Sequence, residues 1–246
     1  MSRVRLRLRL LSDFSDYYDH WFDSGAGCAN LRRYSTDGVG RFEQLYFMGR
    51  AGIKVPAYGV VRSLLGDVPR YGAPEAEPHR VSKRATKLVV YTDDMAHCGE
   101  GKVLVSLDEA MERYPDNVAT EYIEGCPGVS WRYLQVGVHC FWIEYKSRDD
   151  WRSNCGDVKM QVVGEGTGWG SLPRLPLFAI DYVIGDELYA VDFNVAPGVR
   201  GTGVERILSP KQAAESIVEA YHVGEYARHA DYLYRPNPST DFMAVN

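Results

Sequence analysis

Hydrophobic and polar residues follow two different periods in the first fifty residues of the chain. Residues 3–10 alternate arginine with valine or leucine, and a period of two predicts a half-buried strand. Residues 14–22 carry aromatic side chains at helical spacing, with Ser12 as the predicted N-cap. A second helix is predicted from residue 35 to about residue 51, where apolar residues recur at i, i+3 and i+4 and a glycine follows the last turn.

Strand patterns dominate the chain from residue 87 onward. The predicted strands are 87–91, 103–105, 118–123, 131–137, 139–146, 158–163, 177–184 and 187–194. Helices are predicted at 107–114 and 210–226, each preceded by a serine that can cap its N-terminus. Gly185-Asp186 is a hairpin signal between two apolar runs, so the sheet is predicted to be antiparallel. The glycine-rich residues 164–173 are predicted to form a flexible loop.

Composition and charge narrow the class of protein. The chain has 246 residues, of which 45% are hydrophobic and 25% charged, as expected for a folded globular protein. With 28 Lys and Arg against 33 Asp and Glu, the net charge of −5 argues against a nucleic-acid-binding surface. No apolar run approaches the ~20 residues that cross a bilayer, so we expect no membrane span and a cytoplasmic location. The five cysteines are odd in number and form no Cys-x-x-Cys pair, so reduced thiols are expected.

Two carboxylates and an amide are placed together by the predicted hairpin. Asp192 and Asn194 are two residues apart and share one face of their strand, and the turn brings Asp181 beside them. Such hard oxygen donors suit Mg²⁺, which completes its shell with water and phosphate. Polar residues on the open face of an antiparallel sheet explain the same pattern equally well. Spacing alone leaves both interpretations open.

Several other residues can bind phosphate or another anion. The turn Gly99-Glu100-Gly101-Lys102 offers backbone N–H groups and an ammonium, although it lacks the spacing of a Walker motif. Arg132, Arg152 and Arg200 can bind carboxylate or phosphate through two parallel hydrogen bonds. Taken singly, each arginine is better explained as ordinary surface charge, and the turn as a plain tight turn.

In chain order, these segments resemble the ATP-grasp enzymes, especially the branch of ribosomal-protein glutamate ligases and amino-acid ligases. LRRYSTDGVGRFEQLYFMGRAGIKVPAYG, from Leu31 to Gly59, resembles the capped helix and Ala-Gly-Ile-x-Val-Pro entry of that family. GEGKVLVSLDEA resembles its phosphate loop and ATEYIEG its nucleotide hinge. The segments SWRYLQVG, DDWRSN and FAIDYVIGDELYAVDFNVAPG resemble, in turn, its substrate-side arginine, its Arg-Ser-Asn motif and its metal-binding hairpin with the Asn-x-x-Pro-Gly turn.

The resemblance spans roughly residues 31–225 and implies an α+β ATP-grasp fold with ATP bound between two parts. The implied division is a reduced N-terminal region at 1–56, a small lid at 57–119, an antiparallel core at 120–232 and a tail at 233–246. Because the family usually has a full N-terminal domain, the resemblance also leaves room for a homodimer or a partner protein. The resemblance favours a metal site at Asp181, Asp192 and Asn194 over a polar face of the sheet.

The resemblance also implies a role for each site residue. Lys87, Gly99, Gly101 and Lys102 would bind the phosphates, and the backbone of Glu121, Tyr122 and Ile123 would meet the adenine. Asp181, Asp192 and Asn194 would hold Mg²⁺, most simply as two ions, with Mn²⁺ as an alternative. Arg132, Arg152 and Asn154 would act on the reacting group. Tyr91 stands where the family has a strand lysine, and Asp192 where it usually has a glutamate.

The implied activity is an ATP-dependent carboxylate–amine ligation through an acyl phosphate, with ADP and phosphate released. Its substrates would be a carboxylate and an amine from an amino acid, a peptide or a protein terminus. Two alternatives stay open: a kinase of the same fold, and a nucleotide-binding module without catalysis that acts with a partner, for which residues 3–10 offer a docking strand.

Overall fold

The computed structural model describes residues 40–66, 81–93, 99–167, 177–194 and 197–222. The predicted strand at 3–10, the helix at 14–22 and the tail therefore lie outside the described residues. In chain order the elements are α1 (Arg41–Arg50), β1 (Tyr58–Val60), α2 (Val61–Leu65), β2 (Lys87–Tyr91), β3 (Lys102–Ser106), α3 (Leu107–Arg113), β4 (Val118–Glu121), β5 (Val129–Val136), β6 (His139–Ser147), β7 (Val158–Thr167), β8 (Leu177–Ile184), β9 (Leu188–Asn194), α4 (Val204–Ile207) and α5 (Pro210–His222).

The first sheet has four strands in the order β1-β4-β2-β3, and every neighbouring pair is antiparallel. Residues 88–91 of β2 are all apolar and buried. Because successive side chains of a strand point to opposite faces, Leu88 and Val90 share one face, where they are fully buried against α2 and α3. The Ser106 hydroxyl accepts a hydrogen bond from the backbone N–H of Glu109 at 3.2 Å, which caps α3 as predicted.

The second sheet has five strands in the order β7-β6-β5-β8-β9, again antiparallel throughout. Its two faces bury different clusters. Leu45 and Met48 of α1 pack with Tyr133 and Phe178 on one face. Helices α4 and α5 cover one end of the other face, where Ile217 is almost completely buried. The remaining end of that second face, which carries Arg132, Tyr145 and Asp181, faces the first sheet across a cleft.

Most predicted elements are confirmed, and the differences lie at their ends. Strands β2 and β8 have the predicted bounds. Residues 164–167 were predicted as loop and belong to β7, because they pair with β6 beyond a bulge between Trp142 and Ile143. The strand predicted at 118–123 ends at Glu121, where the chain leaves the first sheet.

Three short elements were not predicted: β1, α2 and α4.

Helix α5 begins with the predicted cap, where Ser209 and Gln212 exchange hydrogen bonds in a capping box. In the described ranges, no helix is long and apolar enough to cross a membrane.

Candidate functional site

A cleft that is partly open to solvent lies between the two sheets. Its walls are the inner ends of β2, β3 and β4 on one side and of β5, β8 and β9 on the other. The segment 121–127 that joins the sheets closes one end, and residues 151–154 form part of the rim. Nine of the thirteen residues predicted for the site line this cleft: Lys102, Glu121, Tyr122, Ile123, Arg132, Arg152, Asn154, Asp181 and Asp192.

The other four predicted residues are placed differently. Gly99 and Gly101 lie in the turn before β3, beside the cleft. Asn194 is paired with Ala179, farther along the hairpin than the two carboxylates. Lys87, the first residue of β2, is exposed and does not line the cleft, whereas Lys102 does.

The carboxylates of the hairpin are neighbours, as the sequence predicted. Asp181 of β8 pairs directly with Asp192 of β9, and the register then shifts so that Tyr182 pairs with Ala190. Val191 is the extra residue of this bulge, and it lets both carboxylates line the cleft. Spacing alone could not predict the bulge, since a shift of one residue changes which face a side chain takes.

Arg132 of β5 lies opposite Asp181 in the sheet and forms a two-point ion pair with it. Its Nε donates to Oδ1 at 2.6 Å and its Nη2 to Oδ2 at 2.8 Å. The guanidinium also lies over the ring of Tyr145, 4.9 Å from the centroid. Burial by itself would lower the pKa of Arg132, but the attraction of Asp181 outweighs it and raises that pKa above its ordinary value. Arg132 is therefore a fixed cation in the wall of the cleft.

Arg41, the first residue of α1, holds the second carboxylate and was missed by the sequence analysis. It is only 3% exposed, and its Nη1 donates to Asp192 Oδ1 and to the Val191 carbonyl, the latter at 3.1 Å. The sequence does contain one indication of this role. Arg41, Leu45 and Met48 are at i, i+4 and i+7, so Arg41 places a charge on the buried face of the helix. Such a charge needs a partner.

Tyr91 ends β2 with its ring in the cleft wall, 4% exposed. The Arg41 guanidinium is 5.5 Å from its ring centroid and the Lys102 ammonium 5.9 Å. Two cations from different elements thus flank the position at which the resemblance would place a lysine, and both distances suit cation–π attraction.

The loop between β6 and β7 brings Arg152, Ser153 and Asn154 to the cleft. Arg152 Nη1 donates to the Gly99 carbonyl at 2.9 Å, while its Nε and Nη2 bind the Asp150 carboxylate at 2.9 and 2.7 Å. These hydrogen bonds from Arg152 lower the pKa of Asp150 to about 2. The loop is also fixed to the sheet through the hydroxyls of Ser153 and Ser130, which are 2.5 Å apart.

The glycine turn is packed closely on this loop. Gly99 has a φ of +81°, and a Cβ there would lie 2.6 Å from Cys155 Sγ and 2.8 Å from Asn154 Oδ1. A side chain at this position would therefore be strained and would collide with the loop. Only glycine allows the turn to come this close to Asn154.

The segment from Glu121 to Ile123 forms a hinge between the sheets. Glu121 N donates to the Ala57 carbonyl at 2.8 Å and Tyr122 N to the Lys87 carbonyl at 3.1 Å, so the backbone is held by the first sheet. The rings of Tyr122 and Trp151 meet edge to face with centroids 6.2 Å apart. This end of the cleft is mainly apolar, which suits a flat aromatic group.

The donor chemistry of Asp181 and Asp192 fits Mg²⁺, since both are hard oxygen ligands on adjacent strands of one cleft. In the part of the chain that the structure describes, no group of three or more His, Cys, Asp or Glu residues could hold a metal ion. A magnesium ion there would use two carboxylates and would take its other ligands from the Asn194 amide, water or phosphate.

Comparison with solved structures identifies the fold. The ATP-grasp ligase PsnB, solved with a phosphomimetic variant of its minimal precursor, Mg and ADP, superposes with a TM-score of 0.50 and 12% sequence identity. The comparison covers 88% of this chain and 69% of PsnB. A RiPP-associated ATP-grasp ligase from Chryseobacterium gregarium, in complex with ADP and a leader and core peptide, gives a TM-score of 0.46 at 14% identity over 80% of this chain and 62% of that one. No protein-family model matches the sequence, and no curated protein matches it significantly.

The chain has the ATP-grasp fold, an α+β arrangement of two antiparallel sheets with a cleft between them. The α+β class and the antiparallel core predicted from the sequence are thereby confirmed.

Proposed function

We propose that this protein is an ATP-dependent carboxylate–amine ligase. The observation that carries the proposal is the grouping, in one cleft of an ATP-grasp fold, of an apolar hinge, a lysine beside a glycine turn, two arginines and a pair of carboxylates. PsnB, which shares the fold, was solved with its precursor, Mg and ADP. These features together support a nucleotide and a carboxylate substrate meeting at the cleft.

The hinge end of the cleft would bind the adenine. The backbone of Glu121, Tyr122 and Ile123 would contact the base through groups other than the Glu121 and Tyr122 N–H groups, which are already bonded to Ala57 and Lys87. Ile123 and Trp151 supply apolar surface at that end. Lys102 and the turn of Gly99 and Gly101 would bind the phosphates. Lys87, exposed and outside the cleft, would have no direct role, so Lys102 would carry the lysine chemistry alone.

Asp181, Asp192 and Asn194 would hold the magnesium, which neutralises phosphate charge when bound. Arg132 and Arg152 flank the space beside these residues. A substrate carboxylate placed there attacks the γ-phosphorus, ADP leaves, and an acyl phosphate forms. An amine then attacks the acyl carbon, the C–O bond to phosphate breaks, and an amide and phosphate are released.

The chain contributes to both steps through position and charge. Arg132 is fixed in the sheet by Asp181 and Tyr145, so its charge needs little rearrangement as negative charge develops on the acyl phosphate. Arg152 joins the loop to the glycine turn and, with Asn154, orients the reacting group. The turn, which is packed on the loop, would help to exclude water, which hydrolyses acyl phosphates.

An assay of magnesium-dependent ATP binding and ADP release, with a pool of amino acids and short peptides, tests the proposal. Wild type is compared with the double variant Asp181→Asn/Asp192→Asn and with Asp116→Asn, a matched change on an exposed carboxylate of the first half of the chain. We expect acceptor-dependent ADP and an amide product from wild type and D116N only. A stable phosphorylated acceptor would identify a kinase. ATP binding without ADP release would identify a nucleotide-binding module. Absence of ATP binding in wild type would refute the proposal.

A further inference from the structure

Arg41 occupies a position that the proposed mechanism does not use. Its guanidinium lies behind the cleft wall, with Nη1 bonded to Asp192, to the Val191 carbonyl and, at 2.9 Å, to Gln44 Oε1. Its Nε is buried and has no hydrogen-bond partner within the described residues. Among the described residues Asp192 is the carboxylate bonded to Arg41, so this buried cation with an unsatisfied N–H depends mainly on Asp192 for compensation.

The two hairpin carboxylates and the two arginines form a cluster without net charge. Arg132 takes both oxygens of Asp181, and Arg41 takes one oxygen of Asp192. A divalent cation that approaches Asp192 without a nucleotide meets a carboxylate whose negative charge Arg41 already balances. An ion that shares Asp192 would weaken the compensation of the buried Arg41 charge, which is unfavourable.

Arg41 also has little freedom to move aside. It is the first residue of α1, whose Leu45 and Met48 are buried against the second sheet, so its backbone is held by the core. The Tyr91 ring, 5.5 Å away, supports the guanidinium from the side of the first sheet. The contact therefore belongs to the packed core rather than to a mobile surface side chain.

We propose that Arg41 is a positioning residue that holds Asp192 and keeps divalent metal ions off it until a nucleotide brings compensating negative charge. This inference rests on the proposed function, because it concerns the same metal-binding carboxylates. In the free protein Arg41 competes with the ion for Asp192. When phosphates are present, their charge offsets that of Arg41, and the ion binds Asp192 together with the nucleotide.

The test measures Mn²⁺ binding to the nucleotide-free protein, by the loss of the free-ion EPR signal at fixed ionic strength. The proteins are wild type, Arg41→Met, Arg41→Lys and Arg113→Met, the last a matched change at an exposed arginine of α3. We expect R41M to bind Mn²⁺ about tenfold more tightly than wild type. R41K, which keeps the charge, and R113M are expected to stay within about threefold of wild type, because charge competition at Asp192 persists in both.

The double variant Arg41→Met/Asp192→Asn separates competition from a general change of structure. It should lose the gain seen in R41M, since the carboxylate that Arg41 protects is gone. Arg41→Gln carries the same expectation as R41M, so the test does not depend on one variant folding. Folded R41M or R41Q that binds Mn²⁺ no more tightly than wild type would overturn the inference.

Failure of the proposed function would be seen separately. It appears as absence of ATP binding or turnover in wild type, whereas the role of Arg41 is measured as metal affinity without nucleotide. A tighter Mn²⁺ site in R41M would support the competition even if no amide were formed.

Discussion

The ion pair between Arg132 and Asp181 gives the sharpest quantitative prediction. Its side chains are 15% and 21% exposed, so it is neither a surface pair nor a fully buried one. Exposed pairs couple by about 0.2–1 kcal/mol, whereas removing one partner of a buried pair costs about 3–5 kcal/mol. With two hydrogen bonds of 2.6 and 2.8 Å, we place the coupling between these limits, at about 2 kcal/mol.

A double-mutant cycle with Asp181→Asn, Arg132→Met and the double variant measures this coupling. For a chain of this size, 1 kcal/mol shifts Tm by about 2–4 °C, so each single change should lower Tm by about 4–8 °C. The double variant should be less destabilised than the sum of the two, because it leaves no unpaired charge.

The exposed pair Arg113–Glu109 on α3 is the control. Its side chains are 59% and 39% exposed, and a pair at i, i+4 on a helix surface couples by about 0.3–0.5 kcal/mol. The same cycle there, made with Arg113→Met and Glu109→Gln, should change Tm by less than about 2 °C. Equal coupling energies in the two cycles would show that the cleft does not hold Arg132 as a fixed cation.

Three further outcomes are expected. Hydrogen bonds from Arg152 lower the pKa of Asp150 from 3.8 to about 2, so the ionised carboxylate stabilises the folded state above pH 3.8 and this stabilisation is lost as the pH falls to 2. In Asp150→Asn, the free energy of unfolding should therefore change less between pH 3.8 and pH 2 than in wild type. Gly99→Ala should lower nucleotide affinity and stability more than Gly201→Ala, since both glycines have φ near +80° but only at Gly99 would a Cβ meet side-chain atoms within 2.8 Å. Ser209→Ala should cost about 1 kcal/mol in urea unfolding through loss of the α5 cap, and Ser209→Thr should retain most of it.

The sequence determined the local elements because their causes are short-range. Short apolar runs rich in β-branched and aromatic residues at 87–91 and 177–184 set the bounds of β2 and β8, and Ser106 caps α3 through a contact three residues away. The hairpin turn at Gly185 brings β8 and β9 together, so the proximity of Asp181 and Asp192 was predictable from spacing, whereas their direct pairing depends on the Val191 bulge.

The tertiary structure decided which strands are neighbours and which side chains meet. Strand β4 lies between β1 and β2, and β8 beside β5, although each is distant along the chain; no local pattern records these neighbours. The Val191 bulge, the extra residues of β7 and the partner of each carboxylate follow from the sheet register.

Arg41 shows the limit most clearly. It meets Asp192 across 151 residues of chain, and its sequence signal was only a charge on an apolar helix face. Periodicity reports which side of a helix is buried, but the identity of a buried charge's partner depends on how whole elements pack. The sequence therefore determined the chemistry available to the cleft, and only the fold determined that both hairpin carboxylates, Asp181 and Asp192, are held by arginines.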